Sequence, residues 1–233
     1  MQNLNEDNNK SRRKFSITRL RFLLVAFAIS FSLAGCQQFV IISYLLHGPP
    51  SIEPDFDAET GESMSIPDVT VAVVCFAPTE LKWKFPQLDE QVATHVSFRL
   101  GQNHITMIHP DYVKAWIDEH PDWEKAEEIG EAFKADYVIE IELADFSLHE
   151  GTSTTLFRGR TEAYVHVVKI DEDGYADRIF TKEVDFSFPT RVPRSSYDQS
   201  QTAFQKEYLS RLSEKIGWMF YDRFHGDMIG WAN

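Results

Sequence analysis

The chain predicts an α/β domain: a single mixed β-sheet of about five strands in the order β-α-β-α-α-β-β-β-α, with helices packed mainly on one face. Three observations carry this. Val69–Phe76 is a nearly continuous apolar run, as a strand buried on both faces requires. Leu88, Val92, Val96 and Leu100 recur at four-residue spacing, the period of a helix with one apolar side. Three later segments alternate apolar and polar residues, the period of half-buried strands.

The elements follow in order. Gln87–Leu100 is the first helix and His104–Ile108 a short second strand closed by Pro110. Asp111 is placed to cap a helix bearing Tyr112, Val113, Trp116 and Ile117 on one side, which reads as helix core together with Trp123. Pro121 opens another helix, with Asp122 and Glu124 in the first turn, where the helix dipole favours acids. In the next strand Tyr137, Ile139, Ile141 and Leu143 alternate with Val138, Glu140 and Glu142. Residues 154–170 place Phe157, Thr161, Ala163, Val165 and Val167 on one face and Arg158, Arg160, Glu162, Tyr164 and His166 on the other. Glu172-Asp173-Gly174 is a hairpin signal, returning the chain through Asp177–Phe188. A last helix over Ser200–Phe224 carries Phe204, Tyr208, Leu212, Ile216 and Phe220.

Ahead of this domain, residues 1–35 have the three parts of an export signal. Six basic residues precede an apolar run of about a dozen, Phe22–Leu33, short of the roughly 20 that span a bilayer. The run ends Leu33-Ala34-Gly35-Cys36, which resembles the bacterial lipobox. There the thiol takes a diacylglyceryl group, the chain is cut before the cysteine, and the new terminus is acylated. Two or three acyl chains hold a protein stably, where one does so only marginally. Cys36 is therefore the expected lipidation site, with palmitate-type chains and a periplasm-facing, membrane-bound product. Gln37, in place of the Asp that resembles an inner-membrane retention signal, favours the outer membrane. Ser11-Arg12-Arg13-Lys14-Phe15 also opens like a twin-arginine motif, so general and twin-arginine export both stand.

Residues 36–67 read as a lipidated tether containing prolines and acids, and 68–233 as the domain. Within the tether, Phe39-Val-Ile-Ile-Ser-Tyr-Leu-Leu46 is apolar and too short to span a bilayer; it either lies at the membrane interface or packs on the domain. The leader takes net charge from −13 to about −17 when removed. So acidic a chain excludes nucleic acid as partner, since phosphates need a basic face. With Cys36 acylated, Cys75 is alone and reads as a buried small hydrophobe.

The element order, with Val71–Pro78 as first strand and Ile129-Gly130 through Ala135-Asp136-Tyr137-Val138 before the third, resembles a lipoprotein superfamily. It contains the curli-secretion lipoprotein, the outer-membrane activator of penicillin-binding proteins and the amino-terminal domain of TolB. Uncharacterised planctomycete-type envelope lipoproteins are similar at Asp122-Trp123, Ala135-Asp136-Tyr137-Val138 and Phe157-Arg158-Gly159-Arg160. The resemblance spans about Asp68–Phe224 and implies a non-enzymatic envelope adaptor or assembly factor. Gly130 is expected to let its helix approach the sheet, and Asp136 to bond backbone amides at the turn. Where the family pattern has glycine before Ala-Asp-Tyr, this chain has Lys134, and the family's glycine within the following strand is absent.

Catalytic signatures are missing: no HExxH, G-x-S-x-G, Walker loop or paired CxxC occurs. His104 and His109 sit five apart, which on a strand puts them on opposite faces, so no metal site is expected. Asp171-x-Asp173-Gly174 lacks the closing glutamate of a calcium loop. Glu140 and Glu142 share a face and read as exposed charge rather than an acid–base pair. The expectation is therefore no catalysis and no cofactor. Arg158, Arg160, Tyr164 and His166 form the candidate partner surface, because Arg and Tyr are enriched where partners bind most tightly. Two other classes are weighed against an adaptor: a subunit of an oligomeric secretion or assembly complex, and an envelope hydrolase with an unrecognised site.

Overall fold

Because its two faces must both be covered, the apolar run at 70–76 is expected at the centre of a sheet; the computed structural model covers both its faces but places it next to the edge, beside a two-residue strand. The structure describes residues 51–224 apart from Glu172. The leader, Cys36 and the apolar segment at 39–46 lie outside the described residues.

Six helices and a six-stranded mixed sheet make the domain. In chain order the elements are β1 (Ser51–Ile52), α1 (Asp55–Thr60), β2 (Thr70–Phe76), α2 (Thr79–Lys84), α3 (Leu88–Gln102), β3 (Thr106–Met107) and α4 (Pro110–Glu119). Then come α5 (Ala126–Phe133), β4 (Tyr137–His149), β5 (Leu156–Ile170), β6 (Ala176–Phe188), β7 (Arg194–Ser195), α6 (Gln201–Gly217) and β8 (Arg223–Phe224). The sheet runs β3-β2-β4-β5-β6, with β7 added on β5, while β1 and β8 form a separate two-residue antiparallel pair. β2 is parallel to both β3 and β4, and β4, β5 and β6 are antiparallel. Parallel neighbours need long crossovers. Helices α2 and α3 supply one and α4 and α5 the other.

The main core lies on one face. Val71 and Val73 of β2, with Ile139, Ile141, Val165 and Val167, meet Leu88, Val92, Val96 and Leu100 of α3 and the apolar side of α6. The helices are less one-sided than the sequence suggests. Ala72, Val74, Val138 and Val168 form a smaller core on the opposite face, under Val113 of α4 and Ile129 of α5. This explains why β2 reads apolar throughout. β4 turns polar on that face after Val138, because α4 and α5 reach no farther.

Three boundaries and one core assignment differ from expectation. Residues 51–67 belong to the domain rather than to a tether: Phe56 and Met64 are fully buried. The Phe56 ring meets Tyr137 and Phe180 edge-on at 5.8 and 5.6 Å. A six-residue helix is too short to leave a periodic signature. The fifth helix starts at Ala126 instead of Pro121, because Glu128 accepts from the amides of Glu124 and Lys125, both at 3.0 Å, and so fixes the capping box there. The last helix stops at Gly217, where a turn closed by Phe220 N–H to Gly217 O (2.8 Å) drops Phe220 onto Phe56. The nominal helix-core aromatics are mostly peripheral: Tyr112 is 67% exposed, and Trp116 and Trp123 are half-buried at the edge of the smaller core.

Candidate functional site: the open sheet face and the edge of β2

Beyond the reach of α4 and α5, the strands β4, β5 and β6 leave one face uncovered. The two-residue period puts Arg158, Arg160, Glu162, Tyr164 and His166 on it, as read from the sequence. Their surroundings could not be read. A single carboxylate, Glu150, takes both arginines: Arg158 Nε at 2.6 Å and Arg160 Nη2 at 3.0 Å. Arg158 also donates to the carbonyl of Arg191 at 3.1 Å.

His166 is only 7% exposed, with Nδ1 2.9 Å from the Thr181 hydroxyl and Nε2 3.8 Å from Glu142. Glu140 is buried to the same extent, correcting its reading as exposed charge. It stands in register beside Val74 of the smaller core, and Arg178 donates to it at 3.0 Å. Of the four predicted surface residues, Tyr164 is the aromatic left open, at 43% exposure.

Register supplies what residue spacing missed. Glu162 stands opposite Asp145 on β4 and Asp185 on β6; Tyr164 stands opposite Glu142 and Glu183. All five carboxylates are exposed. Like charges facing each other across strands are destabilising. The centre of this face is thus acidic around one tyrosine, while its arginines are neutralised at one end.

A second feature lies at the far edge of β2. Thr70 O accepts from Asp136 N–H on the β4 side at 2.9 Å, and Val71 O accepts from Ile108 N–H on the β3 side at 2.8 Å. Alternation then aims the backbone groups of Val73 and Cys75 toward the β3 side. But β3 pairs only with Thr70 and Val71. Among the described residues, no strand meets this edge farther along. In its place is a cleft of about 380 Å³, floored by Val73–Phe76 and walled by Ala93 and Thr94 of α3 and Val113 and Ile117 of α4.

Ion pairs mark the mouth: Lys82 to Asp89 at 2.5 Å, and Lys114 to Asp118 at 2.8 Å with Glu90 at 3.7 Å. Hydrogen bonding to Asp118 and the charge of Glu90 hold the Lys114 ammonium above its usual range. Cys75 lines the cleft, and burial pushes its thiol well up, with the Asp89 charge adding to the effect. Trp123 stacks on Phe76 at the end of the cleft, ring centroids 4.8 Å apart.

The histidines and the hairpin have structural roles. His109 caps α4, its Nδ1 accepting from Asp111 N–H at 3.3 Å, and His104 sits in a left-handed turn at φ 68°. Asp171 O accepts from Gly174 N–H at 2.8 Å to close the β5–β6 hairpin. Among the described residues, no three His, Cys, Asp or Glu side chains are grouped to hold a metal ion. No helix among them is long and apolar enough to cross a membrane.

No family model matches the chain, and no curated protein matches it in sequence. Similar solved structures include a PelC dodecamer variant from Paraburkholderia phytofirmans, at 8% identity and TM-score 0.43, covering 74% of this chain and 97% of that one. A hypothetical protein from Chlamydia trachomatis is 15% identical with TM-score 0.39, covering 65% of this chain and 96% of that one. Lipoprotein GNA1162 from Neisseria meningitidis is 11% identical with TM-score 0.37, covering 64% and 97%. These likenesses are distant and concern the course of the backbone.

Proposed function

We propose that this chain is a membrane-anchored, periplasm-facing lipoprotein that serves the cell envelope as a non-catalytic adaptor or assembly factor. The observation that carries the reading is Leu33-Ala34-Gly35-Cys36 at the end of a short apolar run behind six basic residues. Acylated Cys36 holds the chain at the membrane, with the outer membrane favoured by Gln37. The domain presents the open face of β4–β6 to an envelope protein.

The electrostatics of that face change the kind of partner expected. Arg158 and Arg160 are spent on Glu150, so they offer little to an acidic surface. Five exposed carboxylates around Tyr164 suit a basic partner, whose charges relieve the cross-strand repulsion while Tyr164 supplies apolar contact. The test is partner capture from envelope extracts by wild type and by Glu162→Lys/Tyr164→Ala, with circular dichroism on both. Recovery of a specific partner should fall with the variant, most at low ionic strength, where charge steering is strongest. Equal recovery of every partner by a folded variant clears this face of the role.

A further inference from the structure

We propose that the open edge of β2 takes one strand from a partner protein, an extended segment of β-branched residues with a lysine or arginine at the rim of the cleft. The site stands apart from the open face of β4–β6 and does not rest on that reading. Val73 is 1% exposed, and alternation turns its N–H and C=O, like those of Cys75, to the side where β3 has already ended. Among the described residues, these backbone groups meet no partner on that side. Buried backbone donors and acceptors are nearly always paired in native proteins, so this edge is built to receive another backbone. Only an extended chain offers donors and acceptors at the two-residue interval that Val73 and Cys75 set.

The walls select the side chains. α3 lines one side of the cleft with Ala93 and Thr94, and α4 lines the other with Val113 and Ile117. Successive residues of an added strand turn to opposite walls. Alternating valine and threonine therefore fits, with valine against Val113 and Ile117 and threonine against Thr94, and both residue types favour strands. The segment is short. β3 holds the edge at Thr70 and Val71, and Val73 to Phe76 advances roughly 10 Å, the rise of three residues.

Charge at the rim selects the partner's sign. Asp89, Glu90 and Asp118 outnumber Lys82 and Lys114 there. Lys82 is held by Asp89, and Lys114 divides itself between Asp118 at 2.8 Å and Glu90 at 3.7 Å. The longer contact crosses from α4 to α3, while the shorter one stays within α4. An incoming segment displaces the crossing contact, and exposed ion pairs of this kind resist little. Lys114 then keeps Asp118, and Glu90 passes to a lysine or arginine of the partner.

The probe is the blocked peptide acetyl-Lys-Val-Thr-Val-Thr-Val-Lys-amide, added to the full chain purified in detergent. Amide exchange at Val73 and Cys75 should slow by about tenfold or more with the peptide, while that of Val165, inside the sheet, stays as it was. N-methylation at successive peptide residues should abolish the slowing at one parity and spare it at the other, because only alternate amides of an added strand face β2. Glutamates in place of both terminal lysines should weaken binding, most at low ionic strength. No slowing at millimolar peptide, binding indifferent to the N-methyl position, or equal binding of the glutamate peptide overturns the proposal. Slow exchange at both amides before peptide is added overturns it too. If that slowness persists at every dilution it assigns the edge to a segment of the same chain, and if dilution removes it, to a second copy.

Discussion

The carboxylate of Asp136 accepts two hydrogen bonds from Thr70, one from its backbone amide at 2.7 Å and one from its hydroxyl at 3.0 Å. Asp136 N–H returns a third bond to Thr70 O at 2.9 Å. The residue that ends the α5 turn thereby locks the first residue of β2 in register with β4, across 66 positions of sequence. Bonds to a charged acceptor contribute about 1.5–3 kcal/mol. Asp136→Ala should lose about that much in urea unfolding, and Asp136→Asn distinctly less, since it keeps one acceptor. Equal loss in both would assign the effect to charge instead of geometry.

Two glycines and one lysine test how closely helices approach the sheet. A Cβ on Gly130 would stand 2.5 Å from Ile170 Cγ1, and one on Gly159 would overlap the Tyr208 ring. That ring is fully buried, its hydroxyl donating to Thr161 at 2.8 Å and within 3.1 Å of Phe186 O. Gly130→Val should destabilise by about 1–3 kcal/mol, and Gly159→Ala should cost more than Gly130→Ala because Tyr208 has nowhere to turn. Lys134 carries the opposite sign. It holds a left-handed φ of 52° at the end of α5, where glycine is the usual occupant. Lys134→Gly should raise stability by about 1 kcal/mol. Melting curves on the four variants give the order.

Acid stability is tied to Glu62. Its carboxylate accepts from Lys169 at 2.6 Å and from the Tyr137 hydroxyl, and these bonds hold it below the ordinary carboxylate range against a smaller effect of burial. A lowered folded pKa gives stability that is present above the unfolded value, about 4.5, and lost as pH falls through the folded one. Wild type should therefore lose its advantage over Glu62→Gln as pH falls below about 4.5. Parallel acid-unfolding curves for the two proteins would remove this role.

Where residue spacing determines structure directly, the fold was legible. The α3 stripe, both long alternating strands, the hairpin at Gly174 and the fall of Arg158 through His166 on one face all follow from periods of 3.6 and 2.0. What spacing cannot convey is register. The opposition of Asp145, Glu162 and Asp185 depends on two hairpins and on a bulge between Leu143 and Asp145. That Glu150 would claim both arginines depends on how the β4–β5 turn folds back. The burial of Phe56 was hidden for a different reason: one aromatic residue in a proline- and acid-rich stretch looks like tether until the Tyr137, Phe180 and Phe220 rings are known to surround it. The open edge of β2 was invisible because it depends on β3 ending two residues after it begins.

The last prediction concerns Cys36, outside the described residues, and it tests the anchor separately from the domain. If the thiol accepts the diacylglyceryl group, Cys36→Ala blocks both acylation and cleavage. The precursor should then keep its leader and run about 35 residues heavier on a gel. Labelling with a clickable palmitate analogue should mark wild type and leave the variant unmarked. Retention gives an independent measure. Each buried methylene contributes about 0.8 kcal/mol, so two or three chains withstand washing with salt and carbonate where a single chain would not. The domain itself should be unaffected, because its core and its β1–β8 pair begin only at Ser51, beyond the acylation site. A Cys36→Ala protein that is processed, labelled and membrane-bound like wild type would sink the lipoprotein assignment while leaving the fold and the open sheet face as they stand.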